Sequence, residues 1–327
     1  MRLRHIHLIV SLLICAACQD VSDNSTPTSA PTATEAPALA VFPTRENRSI
    51  ATQPAPTVTL TPSPPPTLTR NAAAPDSPRL TASPEPAPAG IAALASAASV
   101  IGTSVEGRAI TARRLGEGTR VLMLVGGIHG GWEANTVRLI NALTAHFEAQ
   151  PDDIQPGLAL VLVAALNPDG LPYGRSAAGR FNANGVDLNR NWGCDWSPDA
   201  VWRSQAVDAG ATAFSEPETL ALAEYIRGLR PAAVVFYHSA ANGVYPGACD
   251  SPDSADSEAL AAALGEAAGY RYGQPFSAYR VTGTAPNWVD GLGIPSVDVE
   301  LRTWTEPEFE QNLRGVLAAQ RWLLGGG

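Results

Sequence analysis

The sequence predicts an α/β domain built on a mixed, largely parallel central sheet with helices on both faces, preceded by a long disordered segment. Three observations support this prediction. From residue 98 onward, short apolar runs alternate with segments whose apolar residues recur at helical spacing. Several of these runs are apolar at every position, as in strands that are buried on both faces. Before residue 98 there is no such periodicity, so the folded domain comprises residues 98–327, which suffice for a sizeable core.

The predicted elements follow in order. Arg120–Val125 is a strand, and the helix after it, Trp132–Ala149, has one apolar face formed by Val137, Ile140, Leu143 and Phe147. Leu158–Ala165 is a continuous apolar run typical of a strand buried on both faces. Further along are a helix that begins with proline (Pro217–Leu229), a strand (Ala233–Tyr237), a helix (Ser257–Ala268), a short strand (Ser296–Glu300) and a final helix (Glu308–Leu324).

Residues 1–18 have the features of an export signal. Arg2 and Arg4 precede an apolar run, Leu8–Ala17, that is too short to span a bilayer. Small residues directly before Cys18 resemble the lipobox of bacterial lipoproteins, in which this cysteine would be lipidated and become the new N-terminus. Such boxes usually have leucine where this chain has Cys15, and ordinary cleavage or an uncleaved anchor are the alternatives.

Residues 19–97 are predicted to form a disordered tether. Fifteen of the 28 prolines lie between Pro27 and Pro88, among many threonines, alanines and serines. Such a composition cannot bury enough apolar surface to offset the entropy of ordering the chain. We therefore expect an exported protein that is anchored to a membrane only by its N-terminal lipid and faces the periplasm or the cell exterior.

The composition excludes several functions. The net charge is −9 and every basic residue is an arginine, so the chain has no lysine for a Schiff base or a phosphate-binding P-loop. The acidic balance argues against a nucleic-acid partner. Cys194 and Cys249 are the only cysteines of the domain, and in an oxidising compartment we expect them to form a disulfide.

Candidate site residues follow the predicted strands. His129 comes shortly after the first strand, His238 directly follows Tyr237, and Glu300 closes a later strand. Ligands of open α/β sheets bind at the carboxyl ends of the strands, so these side chains should converge at one edge. Together with Glu133, the two histidines form a set of the kind that binds a catalytic zinc. A single residue of this kind more often has a structural role than a functional one. Glu133, for example, could simply stabilise the positive N-terminal end of its helix.

Seven segments strengthen the case because they occur in order at plausible spacings. They are Ile101–Arg108, Gly126–Glu133, Asn167–Gly170, Arg180–Asn191, Phe214–Thr219, Tyr237–Ser239 and Val299–Arg302. This ordered set resembles the zinc metallocarboxypeptidases, the carboxypeptidase A-like family, and Arg180–Asn191 is its most specific member. The resemblance covers about Ile101 to Phe309 and implies the carboxypeptidase A-like fold in one catalytic domain.

The resemblance implies a catalytic role for five residues. One zinc ion would be held by His129, Glu133 and His238. Glu300 would activate the zinc-bound water, since a separate carboxylate is needed to move its proton. Arg180 would stabilise the oxyanion that develops beside the metal.

The resemblance also implies how substrate is held. Asn189 and Arg190 would bind the terminal carboxylate of the substrate, and Tyr279 would close over it. Asp187 would orient His129. Each of these residues also has a plainer interpretation. Asn189 and Arg190 could form a structural turn and an ion pair, and Tyr279 could be a surface aromatic residue.

Two features depart from the family pattern. Three residues separate His129 from Glu133, where the family normally has two; the flexible pair Gly130 and Gly131 could absorb the extra residue, or Glu133 could be displaced from the metal. In the segment that shapes the pocket for the substrate's last side chain, Pro286 and Asn287 carry no charge, so no preference for a basic terminal residue is indicated.

The predicted function is hydrolysis of the C-terminal peptide bond of peptides by a zinc metallopeptidase. Alternatives are a cell-wall peptide amidase or an N-acyl amino acid deacylase with the same zinc site, and a peptide-binding lipoprotein whose site has decayed. The substrate in each enzymatic case is a peptide, or a related amide, with a free carboxylate. A serine hydrolase is disfavoured because the chain has no G-x-S-x-G motif. We expect a monomer.

Overall fold

A computed structural model describes residues 98–249, 254–274 and 276–325. The predicted export signal, Cys18 and the tether at residues 19–97 lie outside these residues. Within the described ranges, none of the helices combines the length and the apolar character that a membrane crossing requires.

The described residues form a seven-stranded sheet and a separate two-stranded ribbon. The strands are β1 (Ala98–Thr103), β2 (Ala109–Leu115), β3 (Arg120–Val125), β4 (Leu158–Val163), β5 (Val201–Trp202), β6 (Gln205–Ala206), β7 (Ala233–Ser239), β8 (Gly243–Pro246) and β9 (Ser296–Leu301). Their order in the large sheet is β1-β2-β4-β3-β7-β9-β8. The four central strands β4, β3, β7 and β9 are parallel, while β1, β2 and β8 run antiparallel to their neighbours. The predicted mixed, largely parallel sheet is confirmed.

Helices cover both faces of this sheet. They are α1 (Ala134–Ala149), α2 (Ala177–Arg180), α3 (Pro217–Leu229), α4 (Ala255–Ala268), α5 (Ala285–Asp290) and α6 (Phe309–Leu323). Buried side chains of α1, α4 and α6 share a core with one face of the sheet, and those of α3 and α5 share a core with the other.

Strand β3 shows why the central strands have no polar positions. Leu122 and Leu124 belong to the core beneath α1, α4 and α6, whereas Val121, Met123 and Val125 belong to the core beneath α3 and α5. Successive side chains of a strand point to opposite faces, so a strand covered on both faces must be apolar throughout. The continuous apolar runs of the sequence are the direct result.

The structure differs from the predicted elements in three places. The helix expected from Trp132 begins with a 3₁₀ turn, Gly130–Glu133, and becomes α-helical only at Ala134. The strand expected over Leu158–Ala165 ends at Val163. The apolar patterns of the sequence indicate none of the elements β1, β2, β5, β6, β8, α2 and α5. These elements are short or lie at or beside the exposed edges of the sheet, where apolar periodicity is weak.

The parallel strands bring the candidate site residues to one edge. His238 lies near the carboxyl end of β7, directly beside Glu300 in the register of β9. The neighbouring strand β3 ends at Val125, shortly before His129. The convergence expected at the carboxyl ends of the strands is therefore observed.

Candidate active site

A cluster of two histidines and one glutamate lies at this edge of the sheet. The Glu133 carboxylate contacts both rings, with Oε1 at 2.9 Å from Nδ1 of His129 and Oε2 at 3.0 Å from Nδ1 of His238. The three candidate ligand atoms lie within 4.8 Å of one another, and all three side chains are buried. The structure thus brings together the residues that the sequence indicates as a metal site.

The tight turn before α1 accommodates the extra residue between His129 and Glu133. Gly130 has a φ of +42°, and a Cβ added there would lie 2.8 Å from the backbone oxygen of Gly179. A Cβ on Gly131 would approach the oxygen of Gly170 to 2.6 Å. Only glycine fits these positions without displacing the neighbouring backbone, so the Gly-Gly pair lets Glu133 reach both histidines.

Asp187 fixes the orientation of the first histidine. Its Oδ1 lies 3.1 Å from Nε2 of His129, and its Oδ2 accepts a hydrogen bond of 2.7 Å from Arg180. Burial alone raises the pKa of this carboxyl, but the Arg180 guanidinium and His129 outweigh burial and hold the pKa well below its usual value. With a proton on Nε2 directed at Asp187, Nδ1 of His129 presents its lone pair to the cluster.

The second histidine lies between two polar side chains. Nε2 of His238 is 3.3 Å from Nδ2 of Asn189 and 3.3 Å from Oδ1 of Asp298. Burial lowers the pKa of His238, but the Asp298 and Glu133 carboxylates more than compensate and raise it well above its usual value. The negative charge around this ring therefore favours a positive species at the cluster.

The donor set fits a zinc ion. Two imidazole Nδ1 atoms and a carboxylate converge in a buried position, and the far nitrogen of each ring faces a carboxylate, as is usual for zinc-binding histidines. Burial alone would raise the pKa of Glu133. The two nearby histidines lower this pKa by more than burial raises it, so the carboxylate stays ionised. An ionised carboxylate with two directed imidazoles is a suitable set of zinc ligands.

Glu300 lies in the wall of a cavity of about 410 Å³ above the cluster. Its Oε2 accepts a hydrogen bond of 3.1 Å from the backbone N–H of Ala241. Burial and the nearby charge of Glu133 raise the pKa of Glu300 to about 8. A carboxyl with a pKa in this range can both accept and release a proton near neutral pH. The other predicted site residues that line the cavity are His129, Glu133, Arg180, Asn189, Arg190, His238 and Tyr279.

Arg180 is held beside the cluster at the C-terminal end of α2. Its guanidinium stacks over the ring of Trp202, 4.5 Å from the centroid, and Nη1 lies 4.0 Å from Oε1 of Glu133. Asn167 positions the end of α2 through a hydrogen bond of 2.9 Å to the backbone oxygen of Phe181. The Asn167–Gly170 motif thus supports the loop that presents Arg180.

Asn189 and Arg190 lie in a 3₁₀ turn, Leu188–Arg190, and both are buried. Oδ1 of Asn189 accepts a hydrogen bond of 2.9 Å from the N–H of Ala285, and Nε of Arg190 donates to the oxygen of Val201 over 3.0 Å. Neighbouring backbone therefore fixes both side chains against the cavity wall.

Tyr279 lies in the loop before α5 and is half-buried in the cavity wall. It packs edge-to-face on Phe276, with ring centroids 5.0 Å apart. Burial raises the pKa of its hydroxyl, so the side chain remains a neutral hydrogen-bond donor at physiological pH.

The sequence did not indicate two parts of the site. One is an aromatic wall, in which Trp132 contacts Trp202 and Trp304 edge-to-face and Arg175 lies 4.2 Å from the ring centroid of Trp304. Its members come from separate segments, so no local pattern announces it. The other is Asp298, which lines the cavity and shares a face of β9 with Glu300; the alternation of that strand is a signal that could have found it.

Cys194 and Cys249 form the predicted disulfide, with Cα atoms 5.9 Å apart. Cys194 follows the turn that carries Asn189 and Arg190, and Cys249 follows β8. The bridge therefore joins two segments that flank the cavity.

Comparisons with known proteins agree with this geometry. The sequence pattern of the zinc carboxypeptidase family matches residues 94–310. Murein peptide amidase A from Escherichia coli (strain K12) is 35% identical over 127 residues, which are 36% of this chain and 48% of the relative. Zinc carboxypeptidase A 1 from Drosophila melanogaster is 27% identical over 224 residues, which are 58% of this chain and 52% of the relative.

A solved structure is similar in fold. Bovine thrombin-activatable fibrinolysis inhibitor, in complex with tick carboxypeptidase inhibitor, superposes with a TM-score of 0.60 at 19% identity, over 71% of this chain and 91% of that chain. The chain spans about half the length of the two curated relatives described above. The family pattern covers most of the chain, including every residue of the cluster. We conclude that this protein belongs to the zinc carboxypeptidase family.

Proposed function

We propose that this protein is a zinc-dependent hydrolase that cleaves the C-terminal peptide bond of peptides. The observation that carries the proposal is the buried cluster of His129, Glu133 and His238, whose ligand atoms lie within 4.8 Å of one another below a cavity lined by Glu300 and Arg180. Membership of the zinc carboxypeptidase family supports the same chemistry.

These three residues would hold one zinc ion, which would polarise the substrate carbonyl and make water more acidic. Glu300 would take a proton from the attacking water and deliver it to the leaving amine. Its raised pKa of about 8 suits both transfers, since a general base and acid works best with a pKa near the working pH.

Four further side chains would bind, orient or cover the substrate. Arg180 would donate hydrogen bonds to the oxygen that becomes negative during attack. Arg190 and Asn189 would bind the terminal carboxylate, and their buried, fixed positions would lower the entropy lost on binding. Tyr279 would cover the occupied cavity and exclude bulk water.

Two measurements test the proposal together. The purified protein should contain about one zinc per chain by elemental analysis, and His238→Ala should contain little. Glu300→Gln should keep its zinc but lose about 10²–10⁴-fold in kcat on N-acyl dipeptides. If the parent contains no zinc after growth with added metal, the peptidase proposal fails and a peptide-binding protein becomes the better hypothesis.

A murein peptide amidase is the second candidate, and the 35% identity to murein peptide amidase A over 127 residues favours it. Both activities, and that of an N-acyl amino acid deacylase, act on an amide next to a free carboxylate, so one zinc site could serve any of them. Turnover of N-acyl dipeptides, murein tripeptide and N-acyl amino acids, compared by kcat/KM, would distinguish them. A matched murein substrate with an amidated terminal carboxyl should be a poor substrate in each case.

We also propose export and anchoring through a lipid on Cys18, with residues 19–97 as the tether of a monomeric enzyme. The support is the sequence alone: a basic start, a short apolar run and small residues before the cysteine. In bacterial cells the protein should partition with membranes, and Cys18→Ser should release it or leave it unprocessed. If the parent and Cys18→Ser were equally soluble, the lipid anchor would be contradicted. Analytical sedimentation would show whether the protein is a monomer.

A further inference from the structure

We propose that Asp298 selects substrates whose terminal residue carries a cation in its side chain, either a guanidinium or an ammonium group. This inference rests on the proposed function, because it concerns the pocket that would hold the last residue of the substrate. The sequence suggested an uncharged pocket from Pro286 and Asn287; the structure adds a carboxylate to the same wall.

The first step is the direction of the side chain. In β9, Val297 and Val299 are buried in the core beneath α4 and α6, so Asp298 projects from the opposite face, together with Glu300. Both carboxylates line the cavity. Asp298 precedes Glu300 by two residues in β9. It therefore lies further from the carboxyl end of the strand, and deeper in the fold, than Glu300.

The second step is the set of groups around this carboxylate, in which His238 is the cationic partner and no arginine takes part. Oδ1 of Asp298 is buried and forms no hydrogen bond within the described residues, and its one ion-pair contact there is Nε2 of His238 at 3.3 Å. The side chain keeps 19% of its surface exposed, within a cavity. Beyond the contact with His238, no described arginine pairs with this side chain, so its exposed part can accept a cation that enters the pocket.

The third step concerns the neighbouring walls. Six side chains that line the same cavity and come from β8, α5 and the segments beside them are uncharged: Pro246, Ala248, Val281, Thr284, Pro286 and Asn287. A carboxylate among such side chains is poorly solvated, which strengthens its attraction for a cation and its repulsion of a second carboxylate. The pocket should therefore rank terminal residues by charge.

The fourth step is the position relative to the proposed carboxylate site. Nδ2 of Asn189 and Oδ1 of Asp298 both lie 3.3 Å from the same ring nitrogen of His238. A single amino acid residue can therefore reach both groups, with its carboxylate toward Asn189 and Arg190 and its side chain toward Asp298. Arginine, lysine and diamino acids have the required pair of groups.

The test compares N-acyl dipeptides that differ only in the last residue: arginine, lysine, leucine or glutamate. We expect the parent to show kcat/KM at least about tenfold higher for arginine or lysine than for leucine, and lowest for glutamate, since one charge-assisted contact accounts for about a tenfold preference. Asp298→Asn should reduce the arginine-to-leucine ratio by about tenfold or more. Asp298→Glu should retain most of the preference.

Asp256→Asn is the matched control, because it removes an exposed carboxylate from the start of α4 and should leave the ratio unchanged. An equal loss on all four substrates in Asp298→Asn, with less zinc bound, would mean that Asp298 only orients His238, and would overturn the inference. An unchanged ratio would overturn it too.

A binding measurement separates this inference from the proposed function. Calorimetric titration with N-acetyl-arginine and N-acetyl-leucine needs no turnover. Tighter binding of the arginine compound by the parent, lost in Asp298→Asn, would support the inference even if no dipeptide is cleaved. Equal binding of the two compounds would contradict it even in an active enzyme.

Discussion

Glu133 is the residue on which the geometry of the cluster depends. Its two carboxylate oxygens contact different histidines, one from the turn before α1 and one from β7. It reaches both because Gly130 adopts a φ that other residues rarely adopt and because no side chain separates the turn from Gly179. The backbone of the turn and the metal affinity of the cluster are therefore linked.

Gly130→Ala tests this link. The added methyl would be strained by the φ of +42° and would lie 2.8 Å from the backbone oxygen of Gly179, so the turn must shift and carry Glu133 with it. We expect zinc affinity at least tenfold weaker in a chelator competition, and a free energy of unfolding lower by about 1–3 kcal/mol.

The control for this change is Gly228→Ala in α3, where an added Cβ meets no atom within 4 Å. A helical glycine replaced by alanine should leave zinc affinity unchanged and raise stability by about 0.5–1 kcal/mol. Equal zinc affinity in Gly130→Ala and the parent would show that the turn does not set the position of Glu133.

At the scale of elements, three of the seven sequence motifs act by holding loops and contribute no residue to the cavity wall: Ile101–Arg108, Asn167–Gly170 and Phe214–Thr219. Thr219 and the backbone N–H of Glu216, both from the Phe214–Thr219 motif, donate to Oδ1 of Asn191 at 2.6 and 3.2 Å. Asn182 donates to Glu216 at 2.7 Å. The start of α3 is thereby tied to the segment that carries Asp187 and Arg190.

Asp169 performs a similar function for the turn between β1 and β2. It accepts a hydrogen bond of 2.7 Å from the Ser104 hydroxyl and one of 3.0 Å from the backbone N–H of Glu106, and it pairs with Arg108. Burial raises the pKa of this carboxyl, but the two hydrogen bonds and the guanidinium together lower it below its usual value.

The lowered pKa of Asp169 predicts an acid-dependent stability. A carboxyl whose folded pKa lies below its unfolded value adds stability above the unfolded pKa of about 3.9, and loses it as the pH falls through the folded pKa. Asp169→Asn should therefore be less stable than the parent at pH 7, with a difference that shrinks below about pH 4. Urea unfolding across this range measures the difference.

The comparison variant is Glu106→Gln, which removes the exposed acid that also pairs with Arg108. Exposed ion pairs contribute little, so we expect a change below about 0.5 kcal/mol at every pH. A constant difference between Asp169→Asn and the parent from pH 7 to pH 3 would contradict the assigned role of the charge.

The predictability of the elements follows their burial. Strands β3, β4 and β7 are covered on both faces, and their apolar runs identify them; helix α3 matches its predicted bounds from Pro217 to Leu229. Strand β2, which lies next to the edge strand β1 and is partly exposed, and the four-residue edge strand β8 leave no comparable signal. The metal cluster was predictable because parallel strands end at one edge. Asp298 could have been found from the alternation of β9. The aromatic wall could not be predicted, because its members come from segments that are distant in sequence.

At the scale of the whole molecule, the Cys194–Cys249 disulfide closes a loop of 55 residues that includes α3 and β7. Such a cross-link reduces the number of conformations open to the unfolded chain and changes the folded chain little, so it stabilises the folded state. We expect the double variant Cys194→Ala, Cys249→Ala to lose about 2–4 kcal/mol of unfolding free energy. Thermal unfolding with and without reductant measures it, and the reductant should lower the Tm of the parent alone.

The four central strands are also consistent with one cooperative unit, since the cores on both sides of the sheet include residues of β3 and β7. Zinc that binds the native cluster should therefore raise the Tm of the whole domain, by the equivalent of about 2.7 kcal/mol at a hundred times its Kd. His238→Ala should show no such rise. A zinc-induced rise of equal size in this variant would place the effective binding site elsewhere.

Glu133 and His238 are 105 residues apart in sequence, and they meet only where β3 and β7 lie side by side. A newly made chain therefore has no zinc site until its sheet has assembled, and the metal cannot guide the early steps of its folding. If the chain is exported unfolded, it must obtain zinc at its destination. Its activity would then follow the zinc supply outside the cytoplasm rather than inside it.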